Sequence, residues 1–420
     1  MQSSIWHPFT QHGLGKQEIN VAKSQGAYLY RPDGSRIIDA ISSWWVITHG
    51  HCHPKIVAAV QEQAQTLDQV IFAGFTHDPA QRVSTALLAR AGDHHKYSFF
   101  SDSGSTAVEV ALKMAVGYWH HRGEKRQKII ALEGAYHGDT FGTMAAGERC
   151  VFNKVYEPYL FDVIHVPVPL PGAEDEALSA LDDVLAQHGD DIAAFIFEPL
   201  VQGAGGMRMY APEMLKAMCD ACQARGALLI ADEVMTGFGR TGSFFACDQA
   251  GVAPDLMAVS KGLTGGFLPM GITLATQDIY DAFYHEDRAK MFYHSSSFTG
   301  NPMACAAAYA SLKIWDDEDV FGRINAIVDH HRAATEMLQN LPNVEKVTQC
   351  GTILALHCKV DDASGYLANI GQEFYDYAMA RGILMRALGS VIYILPPYSI
   401  SAEDLSDIYQ CISDFLNKRK

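Results

Sequence analysis

The chain has 420 residues, of which 48% are hydrophobic and 19% charged, with 35 Gly and 16 Pro. Disorder needs low hydrophobicity and high charge, so this is a folding chain, long enough for about two to three domains and for a core without disulfide or metal staples. Its 32 basic and 48 acidic side chains leave a net charge of −16, which repels phosphate backbones and sets nucleic acid aside as a partner.

Met1 to Gln17 carries no basic stretch followed by an apolar core, so no signal peptide is expected there. No apolar run reaches the ~18 residues that a membrane helix needs, and the expected location is cytoplasmic. Nine cysteines stand singly along the chain, a pattern of reduced thiols and not of a disulfide framework. Short apolar runs alternate with helical patterns, the signature of an α/β fold with a largely parallel sheet. In chain order, strands are expected at Tyr97–Phe100, Lys128–Leu132, Ala193–Phe197, Ala227–Ala231, Leu256–Val259 and Gly271–Ala275. Between them, Thr106–Trp119 places Val108, Ala111, Leu112, Ala115 and Trp119 on one helical face. Met214–Arg225 has the same period and stops before Gly226, a C-cap residue. Further on, Arg323–Leu341 is a long amphipathic helix halted by Pro342. Strand-like runs follow at Thr352–His357 and Val391–Leu395. A terminal helix opens at Ser401 with Asp404 three residues on, a capping-box arrangement. The expected organisation is an N-terminal segment (1–49) that packs with a small C-terminal α+β domain (311–420), and a large domain at 50–310.

In an open parallel sheet, ligands bind beyond the carboxyl ends of the strands. Five expected strand ends lead into polar or ionisable residues: Ser101 to Thr106, Glu133 to Asp139, Glu198, Asp232-Glu233 and Ser260-Lys261-Gly262. Ser103-Gly104-Ser105 at a helix start suits a phosphate, because free amides and the helix dipole favour an anion; an ordinary N-cap has the same composition. Asp232 ends an apolar run, where a carboxylate needs a strong partner, either a ligand or a structural ion pair. Lys261 is either a strand-edge lysine or an amine nucleophile of lowered pKa. Together the three are what pyridoxal 5′-phosphate requires: an amine for the Schiff base, an acid for the pyridine nitrogen and a seat for the phosphate.

Three other patterns are set aside. Gly237 to Gly242 matches G-x-G-x-x-G, but Asp232 occupies the turn after the strand and no clear helix follows. His49, His51, Cys52 and His53 lack a second ligand pair at zinc spacing, so no metal site is expected. Cys219-x-x-Cys222 falls inside a helical pattern and reads as core. The histidine pairs at 94–95, 120–121 and 330–331 read as solvated helix ends or faces.

Leu229-Ile230-Ala231-Asp232-Glu233-Val234, Thr236 to Gly242 and Ser260-Lys261-Gly262 resemble the signature of the class III pyridoxal-phosphate aminotransferases. The resemblance runs over most of the chain and implies fold type I: a large domain with a mostly parallel sheet of the seven-stranded type, plus a smaller α+β domain. His7-Pro8-Phe9-Thr10, Ser42-Ser43-Trp44-Trp45, Tyr136-His137-Gly138-Asp139-Thr140, Gln202 to Met207 and Pro396-Pro397-Tyr398 look like the branch of biotin biosynthesis. That branch aminates 8-amino-7-oxononanoate with S-adenosylmethionine, or in some relatives lysine, as donor. An ω-amino-acid or diamine aminotransferase is the alternative within the family.

The resemblance implies that Lys261 carries the cofactor, Asp232 pairs with its ring nitrogen, and Ser103 and Gly104 hold its phosphate. Tyr136 stacks on the ring and lines the substrate pocket, which Trp44 and Trp45 wall and Phe9 borders. Arg386 grips the substrate carboxylate. Ser297, with Ser295 and Ser296 before it, corresponds to a loop that reaches the neighbouring subunit's site, which makes a homodimer necessary. Phe9 stands where many members have Tyr, and Ser295-Ser296 replaces the usual Gly-Pro. The acid at Asp139 suits a cationic donor better than glutamate's second carboxylate.

Overall fold

The computed structural model describes residues 4–15, 18–150, 153–359 and 369–418. Its centre is a seven-stranded sheet. The strands run, edge to edge, His95–Ser101, Gly271–Thr276, Leu256–Val259, Leu228–Asp232, Ile192–Phe197, Lys128–Leu132 and Ile164–Val166. Gly271–Thr276 is antiparallel to both neighbours, and the other pairings are parallel. Ile192–Phe197 and Leu228–Asp232 are buried at every position. Continuous apolar runs of this kind belong to a sheet covered on both faces, and they put all six expected strands within a few residues of their places. Ile164–Val166 was not among them. It is three residues long and only partly buried, too short to carry a period.

The helix Gly104–His121 covers one face with Val108, Ala111, Leu112, Ala115 and Trp119 all buried. Pro212–Ala224 ends as expected, with Gly226 at φ 76, a backbone conformation that glycine adopts without strain. At the C-terminal end, Val344–Cys350, Ile353–Cys358 and Val391–Ile394 form an antiparallel sheet. Val320–Gln339, Asn369–Met379 and Ala402–Lys418 belong to the same unit, with its own apolar core. Asp404 accepts from the Ser401 hydroxyl at 2.6 Å while its own amide donates to Ser401 Oγ at 3.1 Å, which closes the expected capping box. The N-terminal strands Lys23–Gln25, Tyr28–Tyr30 and Arg36–Asp39 pair with each other and, through Arg36–Asp39, with Ile383–Leu384. Tyr28 also donates to Asp404 at 2.7 Å, so the two chain ends fold as one layer.

His120 and His121 end the helix Gly104–His121 at the surface as expected, and His94 and His330 are exposed, but their neighbours His95 and His331 depart from expectation. His95 lies buried in a strand. His331 is buried and pairs with the Tyr409 hydroxyl at 2.7 Å and the Thr352 carbonyl at 3.1 Å. Burial first, with the neighbouring His94 and His330 adding to it, holds the two imidazoles down to about 4, so they remain neutral and cost little to enclose. No described helix is long and apolar enough to cross a membrane.

Candidate active site

The carboxyl ends of the parallel strands open into a cavity of about 210 Å³. Eight of the residues singled out by sequence line it: Phe9, Trp44, Trp45, Gly104, Tyr136, Asp232, Lys261 and Arg386. Lys261 follows Leu256–Val259 and sits at φ 46. Its Nζ lies 4.9 Å from the centre of the Trp45 ring. Burial pulls its amine down to about 8, against the opposing charges of Asp232 and Glu198. Such a lysine is partly neutral near neutral pH and can act as a nucleophile or proton carrier.

Asp232 is 5% exposed. One of its oxygens pairs with His137 Nδ1 at 2.7 Å and the other accepts from the Val234 amide at 3.1 Å. Burial by itself would lower the His137 imidazole; the hydrogen bond and charge of Asp232, with the charge of Glu198, outweigh it and raise it above its usual value. His137 and Glu198 both line the cavity and were given no role from sequence. The same argument that singled out Asp232 applies to Glu198, since it too ends an apolar strand. Its oxygens accept from the Tyr136 amide at 3.0 Å and the Gly203 amide at 2.9 Å. Burial nevertheless raises the carboxyl to about 7, with Asp232 adding to it and His137 opposing. Burial and the nearby Asp139 carboxylate push the Tyr136 phenol well up.

Trp44 and Trp45 sit on a contorted segment, with Ser42, Ser43 and Trp45 at φ 52, 58 and 63. Non-glycine residues in that region are strained and need support. Asp39 supplies it, accepting from the Ser43 amide at 2.8 Å and hydroxyl at 2.9 Å and pairing with His51 at 2.8 Å. Ser42 Oγ donates to the Leu395 carbonyl at 2.8 Å, and the Trp45 indole donates to the Tyr393 hydroxyl at 2.9 Å. Trp45 is thereby buried, while Trp44 is half-exposed beside Phe9, their ring centres 5.6 Å apart. The Arg386 guanidinium lies 5.3 Å over Trp44. The order across the cavity is thus amine, two indoles, guanidinium.

Ser103 is the N-cap of Gly104–His121, the alternative its composition left open. Its hydroxyl caps its own helix, accepting from the Thr106 amide at 3.2 Å, while Thr106 Oγ1 accepts from the Ser103 amide at 2.9 Å. That leaves the amides of Gly104 and Ser105, which have no intrahelical acceptor, as the donors on the cavity wall. Ser295, Ser296 and Ser297 do not line this cavity. They lie in a turn closed by Thr299, with the Ser297 carbonyl accepting from Gln69 at 3.3 Å. The G-x-G-x-x-G segment serves as a lock: buried Arg240 donates to the Ile47 carbonyl at 2.7 Å and the Pro396 carbonyl at 2.8 Å. His51 pairs with Asp39 and His53 with Glu318 at 3.4 Å.

Pyridoxal 5′-phosphate fits these residues on three counts. A buried amine of lowered pKa faces the same space as a buried carboxylate. Two uncommitted helix amides border that space, as a phosphate requires. Gly104 packs so tightly against Val234, a Cβ there falling 2.6 Å from Val234 Cγ1, that backbone itself forms the wall.

Comparison with known proteins agrees. The chain matches the family described as aminotransferase class III over residues 10–416. It is 48% identical to the adenosylmethionine-8-amino-7-oxononanoate aminotransferase of Synechococcus elongatus, over 99% of this chain and 98% of that one. It is 37% identical to the enzyme of the same name from Geobacter sulfurreducens, over 96% and 93%. Among solved structures, the adenosylmethionine-8-amino-7-oxononanoate aminotransferase of Methanocaldococcus jannaschii superposes with a TM-score of 0.94 at 31% identity, covering 99% and 97% of the two chains. A PLP-bound amine transaminase from an uncultivated Pseudomonas species gives 0.93 at 28%, covering 100% and 99%. The chain belongs to the class III aminotransferases, a family dependent on pyridoxal phosphate.

Proposed function

We propose that this enzyme transfers an amino group from S-adenosylmethionine to the 7-keto group of 8-amino-7-oxononanoate, giving 7,8-diaminononanoate for biotin synthesis. The observation that carries the reading is the ordered cavity wall from Lys261 through Trp45 and Trp44 to Arg386. It offers an apolar path ending in a guanidinium, which suits an oxononanoate chain with a terminal carboxylate. Near full-length similarity to enzymes named for this reaction supports it. Bound pyridoxal phosphate supplies the aldehyde that captures the donor amine and a ring that takes up the electron pair left by the α proton.

The chain's own residues do the rest. The Gly104 and Ser105 amides hold the phosphate, and Asp232, oriented by His137, keeps a proton on the ring nitrogen by its negative charge. Lys261 Nζ takes the donor's α proton and returns it, as general base and then acid. Tyr136 and the two indoles exclude water from the reacting carbon. The keto product leaves before the second substrate enters, so kinetics are ping-pong. The enzyme works as a homodimer, with the partner's loop at Ser295, Ser296 and Ser297 completing the phosphate seat, and in the cytoplasm, where its nine free thiols stay reduced.

The test is a half-reaction followed by cofactor absorbance, with S-adenosylmethionine, lysine, ornithine and 4-aminobutyrate as donors, together with Arg386→Ala. S-adenosylmethionine should convert the cofactor fastest, and Arg386→Ala should raise KM for the oxononanoate by about 10²-fold with less effect on the donor. Conversion by 4-aminobutyrate or ornithine alone would refute the assignment. Conversion by lysine alone would keep the acceptor and change the donor. A monomeric mass by light scattering would refute the shared site.

A further inference from the structure

We propose that a second cavity, adjoining the first, binds a small oxyanion, a carboxylate or phosphate group, between Arg208, Lys346 and His357. This goes beyond the proposed transfer reaction and holds whichever donor that reaction uses. The cavity measures about 480 Å³ and shares Tyr136, His137 and Gly138 with the candidate active site. It lies between the Gly134–Asn153 region and the C-terminal antiparallel sheet, and all three basic residues line it.

Lys346 and His357 are direct cross-strand partners on that sheet, where like charges facing each other are unfavourable. Arg208 approaches from the other side. Room for its guanidinium depends on Gly134, at φ 74, because a Cβ there would fall 3.0 Å from Arg208 Cζ. Burial first, then the charges of Lys346 and Arg208, push the His357 imidazole down to about 4 against the opposing Glu345. His357 is therefore neutral; its Nε2 pairs with the Thr348 hydroxyl at 3.4 Å, and with Nε2 as acceptor the other ring nitrogen carries an N–H between two cations. Neither Arg208 nor Lys346 forms an ion pair among the described residues. The two carboxylates on the same cavity, Asp139 and Glu148, are exposed, and Asp139 is engaged by the Tyr136 hydroxyl. A guanidinium, an ammonium and an imidazole N–H converging without a carboxylate partner form a receptor for an oxyanion.

The test is calorimetric titration of the cofactor-loaded enzyme with inorganic phosphate and, separately, with succinate. One saturable site per chain is expected, and the tighter probe identifies the anionic group. Arg208→Gln and Lys346→Gln should each weaken binding about tenfold or more, and Arg386→Gln should leave it unchanged. Lys346 is exposed on its strand, so its variant folds even where that at Arg208 does not. No saturable binding of either probe overturns the proposal. So does binding that survives both substitutions, or that is lost only with Arg386→Gln, which would place the anion in the substrate cavity.

Discussion

Replacing Lys261 by Met in the cofactor-free protein should make it more stable, although it abolishes activity. Enclosing the ammonium brings Lys261 from the usual 10.5 to about 8. At about 1.4 kcal/mol per pH unit, that drop corresponds to about 3 kcal/mol. Below pH 8 the lysine is charged both folded and unfolded, so the whole penalty falls on the native state. Between pH 8 and 10.5 the unfolded chain holds the extra proton, so wild-type stability rises with pH there. Met has a similar length and no charge. Lys261→Met should therefore exceed wild type by about 3 kcal/mol at pH 7, and the gap should close as pH passes from 8 through 10.5. Denaturant unfolding of both cofactor-free proteins at pH 7, 9 and 10.5 measures it; other titrating groups cancel in the difference. An equal or less stable variant at pH 7, or a gap indifferent to pH, would refute the picture of an enclosed amine held at a cost. The same cost serves chemistry, since at a given pH it raises the ratio of neutral to charged amine about 300-fold.

Three other outcomes can be checked. Tyr393→Phe removes the acceptor of the buried Trp45 indole N–H; it should cost about 1 kcal/mol in stability and raise KM for the acceptor more than it lowers kcat, by steady-state kinetics. Glu198→Gln acts with the opposite sign to the lysine. The native carboxyl stays protonated up to about 7 while the unfolded one ionises near 4.5, so wild type should lose about 3 kcal/mol relative to the variant as pH rises through that window. A constant difference in unfolding midpoints would contradict it. Gly104→Ala drives a Cβ to 2.6 Å from Val234 Cγ1 and should weaken cofactor retention about tenfold or more, read from absorbance after dialysis, with the secondary structure retained.

Apolar runs and their endings made the central sheet legible in the sequence. A strand covered on both faces has little choice but to be continuously hydrophobic, and a carboxylate or amine at its end, as at Asp232 and Lys261, stands out against that background. The Ser401–Asp404 box and the Gly226 stop were equally local, and local signals survive folding unchanged. Tertiary structure decided what depended on partners distant in the chain. His331 reads as solvated until Tyr409, 78 residues away, supplies its partner. The role of His137 depends on Asp232, 95 residues on. The Trp44–Trp45 wall is held by Asp39, Leu395 and Tyr393 in a backbone conformation that no periodicity encodes. Which residues carry reactive chemistry was set by composition at strand ends; which of them are free to use it was set by who else arrives there, because a hydrogen-bonding group already satisfied has little left to offer a ligand.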